Sequence, residues 1–268
     1  MMDKAHQNAN RFSNFAGLYD RVRPALPPDA RAILLQYLGH RPTTLVDIGC
    51  GTGLSTAAWA DYADAVVGVE PSADMLARAR ARTAGQPSIR FVQAYSDATG
   101  LPDESVDLVT CSQSFHWMNP EKTIPEIARI LKTDGVFAAF DCDWPPVCNW
   151  KAEQAYEKLF FFLHRMQAEN PKTQGHYTHW DKSKHLENLQ NSGTFRYARE
   201  VLFSQTEETD AERFLGLALS QGDLQHLLET GVEEARTLYT AFEEKVRTAM
   251  GKKRVAIRFC YRMRLAVK

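Results

Sequence analysis

Between Thr44 and Asp141 the chain alternates short apolar runs with helix-forming segments, and this rhythm restricts the fold more than any other feature. The runs are Thr44–Ile48, Ala65–Glu70, Ile89–Gln93, Val106–Cys111 and Val136–Asp141. Each is apolar almost throughout, which predicts strands buried on both faces in a parallel sheet with helices on either side. Between them the spacing predicts helices over 29–39, from about Leu54, and from a Ser72 cap to Arg82. A further helix is expected to open with a capping box at Thr123-Ile124-Pro125-Glu126 and to end at Asp134-Gly135. After Asp141 the rhythm changes. Trp144-Pro145-Pro146 breaks the chain, and 150–169 places Ala152, Tyr156, Leu159 and Leu163 on one helical face. Residues 209–220 and 223–249 also read as helical. Phe195, Tyr197, Val201 and Phe203 share one face of a strand, and Val255 to Val267 alternate apolar residues with arginines. The expected fold is α/β: a doubly wound, seven-stranded, mainly parallel sheet with the last strands antiparallel, plus helical cap insertions. We expect a single domain over 1–268. Its core takes in about 30–142, 195–208 and 252–268, and its cap about 143–194 and 209–251. Phe12, Phe15 and Tyr19 suggest a short helix before it.

At the end of the first predicted strand stands Asp47-Ile48-Gly49-Cys50-Gly51-Thr52-Gly53. Glycines permit a tight turn and let a ligand approach the backbone, and a following helix start offers free amides. Glu70 closes the second strand, where a carboxylate can accept both hydroxyls of a ribose. The third glycine of a dinucleotide fingerprint would fall at Leu54, and no Lys-Ser/Thr pair follows the loop. Both the dinucleotide and the Walker-type readings are therefore excluded.

Taken together, the segments VDIGCGTG, VVGVEPSADML, SDATGLPDESVDLV, QSFHW and ILKTDGVFAA resemble the class I S-adenosylmethionine-dependent methyltransferases, specifically the type-11 small-molecule branch. The resemblance covers about residues 15–140 and implies S-adenosylmethionine as the cofactor. It sets Gly49, Gly51 and Gly53 against the methionine part, with Asp47 nearby and Glu70 on the ribose. Pro71 and Met75 would line the adenine, whose edge would meet Asp97 and the amide of Ala98. Thr99 replaces the glutamate usual after that alanine. Tyr19 and Arg23 match positions over the cofactor, where Arg23 could pair with its carboxylate. The reacting methyl would lie near Ser112, Gln113, His116 and Trp117. Of these, Gln113 and His116 are the candidates for orienting the acceptor or taking its proton, and Trp117 and Trp144 for walling it. The acceptor is expected to be a small molecule, by analogy with trans-aconitate methyltransferases an organic acid. An RNA or protein methyltransferase and a non-catalytic binding protein are the rival readings.

The remaining features argue for a protein without nucleic acid or membrane among its partners. Hydrophobic residues make up 44% of the 268, enough for a sizeable core, and a net charge of −1 creates no global field for an anionic polymer. No apolar run is long enough to span a bilayer, and five dispersed cysteines read as reduced thiols in the cytoplasm. Seven of the last 17 residues are basic, but on an alternating strand they read as a polar face paired with acids such as Glu207 and Glu208. His176, His179 and Asp181 lack the frame of a zinc site, so no metal is expected.

Overall fold

The computed structural model describes residues 16–169 and 178–268. Phe12, Phe15 and His176 lie outside these. The predicted N-terminal helix is seen as α1 (Ala16–Val22).

Seven strands build one sheet: β1 (Thr44–Ile48), β2 (Ala65–Val69), β3 (Ile89–Val92), β4 (Val106–Ser112), β5 (Leu131–Cys142), β6 (Tyr197–Thr209) and β7 (Val255–Val267). They lie in the order β3-β2-β1-β4-β5-β7-β6. β1 to β5 are parallel, and β7 runs antiparallel to both β5 and β6. The apolar runs are buried as their composition requires: Val46, Val67 and Val109 sit in register across three strands.

Helices cover both faces. On one, α2 (Pro28–Leu38) sets Ala30, Leu34 and Leu38 against Leu45, Leu108 and Phe140. Gly39, in the left-handed region, ends it as expected. On the other, α5 (Pro120–Ile130) packs Ile124 and Ile127 against Val46, Val109 and Phe137. α4 (Ala73–Arg82) starts at the Ser72 cap, whose hydroxyl accepts from the Met75 amide.

Four element boundaries differ from the sequence reading. The helix after the glycine loop, α3 (Leu54–Ala57), is one turn long and gives way to tight turns. α5 begins three residues before the expected capping box, at an Asn119 cap that accepts from the Glu121 amide. Thr123 and Glu126 are occupied elsewhere: Thr123 bonds Ser96, and Glu126 accepts from the amide and hydroxyl of Thr99. β5 begins at Leu131 and passes through Asp134-Gly135 with a register shift, so these residues kink a strand rather than end a helix. The stretch expected as one helix over 223–249 is two, α9 (Gly222–Glu229) and α10 (Glu233–Met250), separated at Gly231 with φ +75°.

α6 (Trp150–Glu169), α8 (Ala211–Leu219), α9 and α10 share a second core, in which Tyr156, Leu159, Phe214 and Phe242 meet Ile257 and Phe259 of β7. β7 thus serves two cores along one face, its first half under the cap and Met263 and Leu265 under α2. α7 (His185–Asn191), expected among the cap segments, packs against the sheet instead, with Leu189 buried beside Phe137 and Ala266.

Candidate active site

A cavity opens at the carboxyl ends of β1, β2 and β4, where the strand order reverses and α/β sheets leave a crevice. It holds about 1520 Å³ of empty space, its mouth included.

The glycine loop forms its floor, and its three glycines have different duties. All have positive φ, at 69°, 54° and 76° for Gly49, Gly51 and Gly53. A Cβ on Gly49 would lie 2.7 Å from Met118 and Ser114, and one on Gly53 would lie 3.0 Å from Ala79. Those two glycines serve internal packing. A Cβ on Gly51 would meet nothing within 4 Å, and Gly51 lines the cavity, so its missing side chain leaves room for a ligand.

Beneath the loop Asp47 is fully buried. It accepts hydrogen bonds from the hydroxyls of Ser55 (2.6 Å), Thr56 (2.7 Å) and Thr110 (3.1 Å). Burial raises its pKa, and the three hydroxyls pull it back. Asp47 therefore pins the turn from below and is not part of the cavity wall. Glu70 is. One carboxylate oxygen accepts from the Gly51 amide at 3.1 Å, the other from the Ser72 amide at 3.0 Å. Burial raises the Glu70 pKa as well, and these amides oppose it. Each oxygen keeps a lone pair for a ligand hydroxyl.

Pro71, Met75 and Asp97 line the same end. Ala98 does not, and its amide is already given to the Tyr95 carbonyl at 3.2 Å. Gly53 and His116 are likewise outside the wall. His116 is buried behind it, its Nδ1 3.2 Å from Asp141, while Lys182 reaches the same carboxylate oxygen at 2.9 Å. The neighbouring Trp117 does line the cavity, and its ring packs edge-on against His179, 4.3 Å between centroids. Asp181 accepts from the Ser183 amide and starts a short turn. Among the described residues no three His, Cys, Asp or Glu side chains are placed to hold a metal.

At the far end stand Ser112, Gln113 and Trp144. Gln113 has φ +57°, a conformation that a residue with a Cβ seldom adopts, and its amide is fixed by the Phe140 carbonyl. Arg23 lies between two rings, 4.7 Å over Tyr19 and 4.6 Å over Trp144. Its Nε donates to the Ser220 hydroxyl and a terminal nitrogen to the Ser220 carbonyl.

The structure adds residues that the sequence reading missed. Tyr261 of β7 and Phe140 of β5 line the far end. Asp20 ties α1 to the glycine loop by accepting from Thr52 and pairing with Arg82. The signal for Tyr261 was a polar-tipped ring on the apolar face of a strand.

Residues 46–139 match the family model of the methyltransferase domain. A Saccharomyces cerevisiae protein described as a probable S-adenosylmethionine-dependent methyltransferase is 36% identical over 124 residues, which are 45% of this chain and 43% of that protein. The chain thus matches less than half of that relative's length. Among solved structures, one described as a type II methyltransferase from Anaeromyxobacter dehalogenans superposes with a TM-score of 0.67 at 21% identity, covering 91% of this chain and 97% of the other. A phosphoethanolamine N-methyltransferase of Haemonchus contortus, solved with phosphomonomethylethanolamine and S-adenosylhomocysteine, gives 0.56 at 16% identity, covering 100% and 60%. Over residues 46–139 the chain is thus similar to methyltransferase domains, and its fold is that of the solved methyltransferases.

Proposed function

We propose that this protein transfers a methyl group from S-adenosylmethionine to a carboxylate oxygen of a small organic acid. The observation that carries the reading is the distribution of titratable groups in the cavity. Among the described residues no histidine lines it, and its two carboxylates, Glu70 and Asp97, belong to the β2–β3 side. The acceptor end offers neutral donors in Ser112 and Gln113, and aromatic walls in Trp117 and Trp144. Such an end suits an acceptor that is ionised at neutral pH and needs no base.

The chain's own residues fit the cofactor. The open space over Gly51 admits it, Glu70 would hold its ribose, and Pro71, Met75 and Asp97 would face its base. Tyr19 would close over its amino-acid part, and Arg23, stacked on Trp144, would face the acceptor end. When bound, it supplies an electrophilic methyl whose transfer forms a C–O bond as the C–S bond breaks, leaves the electron pair on sulfur and moves no proton. The protein then contributes alignment and exclusion of water.

A polymer acceptor is disfavoured because several basic residues in and just before β7 are paired with acids. Arg254 pairs with Glu208, Arg262 with Asp143 and Glu200, and Arg264 with Glu200, while Arg258 donates to the Thr206 hydroxyl. Among the described residues no helix is long and apolar enough to cross a membrane.

Two measurements test the reading. Glu70→Ala should weaken S-adenosylhomocysteine binding by about 1–3 kcal/mol in calorimetry, the scale of a lost charged hydrogen bond. Incubation with S-adenosylmethionine and a panel of acids, alcohols and amines should yield base-labile methyl esters by mass spectrometry. Methylation confined to amines or alcohols would refute the carboxylate assignment.

A further inference from the structure

Tyr261 lies in the cavity wall, yet no feature of the cofactor accounts for it. β7 is four strands from β2, which carries Glu70 at its end. At the usual spacing between strands this is about 19 Å, well past β4 and its loop. Tyr261 pairs in register with Cys142 at the end of β5, two residues before Trp144. It therefore belongs to the acceptor end.

The side chain is 3% exposed, its ring stacks on Phe203 at 5.2 Å between centroids, and its hydroxyl has no hydrogen-bond partner among the described residues. Phenylalanine would make the same ring contacts without leaving a buried hydroxyl unmet. Buried polar groups in proteins are nearly always partnered, so an unmet one beside a cavity points to a partner that the cavity receives.

The charges around it specify that partner. Arg23, which lines the same cavity wall, and Arg213 act on the phenol by their charge, opposed by Glu207. Arg213 is engaged, with Glu207 and with the carbonyls of Val22 and Glu208. Arg23 has no carboxylate partner among the described residues, and it is the one cation lining the cavity there. Burial keeps the phenol protonated, far above its ordinary pKa, so it stays a hydrogen-bond donor and not a base.

We propose that Tyr261 recognises the acceptor: its phenol donates a hydrogen bond to a carboxylate oxygen of the organic acid, at the end of the cavity where Arg23 supplies positive charge. This rests on the carboxylate-methylating reading above and names the residue that selects for that class. The residue comes from the last strand, outside the stretch that matches the methyltransferase domain.

The test is calorimetric and uses protein saturated with S-adenosylhomocysteine. The probes are phenylacetate, hexanoate and fumarate, each set against its amide. At least one acid should bind more tightly than its amide. Tyr261→Phe should weaken that acid about 10-fold, the scale of a lost hydrogen bond to a charged group, and the amide by less than about 3-fold. S-adenosylhomocysteine affinity and the melting temperature should hold. Wild-type acid affinity in Tyr261→Phe would overturn the assignment, as would a parallel fall in S-adenosylhomocysteine affinity or acids that bind no better than amides. Wild-type protein that binds no S-adenosylhomocysteine would instead overturn the reading on which the assignment rests.

Discussion

The two ends of the cavity are built on opposite plans. At the glycine-loop end every buried carboxylate has its partners inside the protein: Asp47 takes three hydroxyls and Glu70 two amides. These groups come from one stretch, Asp47 to Thr110. At the far end Arg23, Trp144, Ser220 and Tyr261 meet from four separate parts of the chain, and the Tyr261 hydroxyl is left without a partner. A site for one fixed ligand can be pre-set by local hydrogen bonds. A site that distinguishes among acceptors needs polar groups that only the right acceptor satisfies, because an unpaired group is what penalises the wrong one.

The largest effect that would break this contrast is at Gly51. Gly51→Val should remove S-adenosylhomocysteine binding, a loss of about 4 kcal/mol or more, which is roughly 1000-fold. The added side chain enters open cavity space rather than the core, although φ +54° adds backbone strain. Gly49→Ala should do the reverse and lower the melting temperature first, because its Cβ would strike Met118 and Ser114. Calorimetry on Gly51→Val showing wild-type affinity would mean that the ligand does not pass over this loop.

The same contrast explains what could be read from the chain alone. β1 and its glycine turn were legible to the residue, since apolar burial, glycine conformation and Glu70 at the next strand end are all local signals. α5 was misplaced because Thr123 and Glu126 have the form of a capping box but are used across the fold, by Ser96 and Thr99. Arg23 against Ser220 spans 197 residues, and no periodicity foretells such a meeting. Nor could sequence show that His116 stands behind Trp117 rather than beside it.

A second effect separates the halves of the sheet by pH. His185 is fully buried against Phe115, and neither ring nitrogen has a hydrogen-bond partner among the described residues. Burial first, then the positive charges of Arg264 and Lys182 and of His116 when it is protonated, bring its pKa down to about 4, against the pull of Asp141. In the unfolded chain the imidazole takes its proton near its ordinary value of about 6.5. Between those two values the unfolded state binds more protons, so stability is full above about pH 6.5 and falls as the pH drops towards 4. The total loss is about 3 kcal/mol. Denaturant melts should show this decline, and His185→Phe should flatten it. Hydrogen exchange at about pH 5 should reach α7 and β7 before β1 and β2. A stability curve of unchanged slope in His185→Phe would assign the acid lability elsewhere.

The smallest effect is expected at His116, the one histidine of the matched stretch. Its ring is held to Asp141, and Asp141 lies on the sheet face opposite Tyr261, since Tyr261 pairs with Cys142 and successive strand residues alternate faces. His116 thus braces the loop that carries Trp117 from behind, helped by the Trp180 amide on its carbonyl and by Lys182 on the shared carboxylate. His116→Gln keeps a polar partner for Asp141 and should change S-adenosylhomocysteine affinity by less than about 3-fold, a few tenths of a kcal/mol. Methyl transfer should fall by no more than about 10-fold, through looser placement of Trp117, and should stay nearly flat from about pH 6 to 9 in both proteins. The informative comparison is the shape of the two pH profiles. A steep wild-type rise between about pH 6 and 7 that is lost in His116→Gln would make the imidazole a general base, bring it round to the cavity side, and replace the carboxylate acceptor with a hydroxyl.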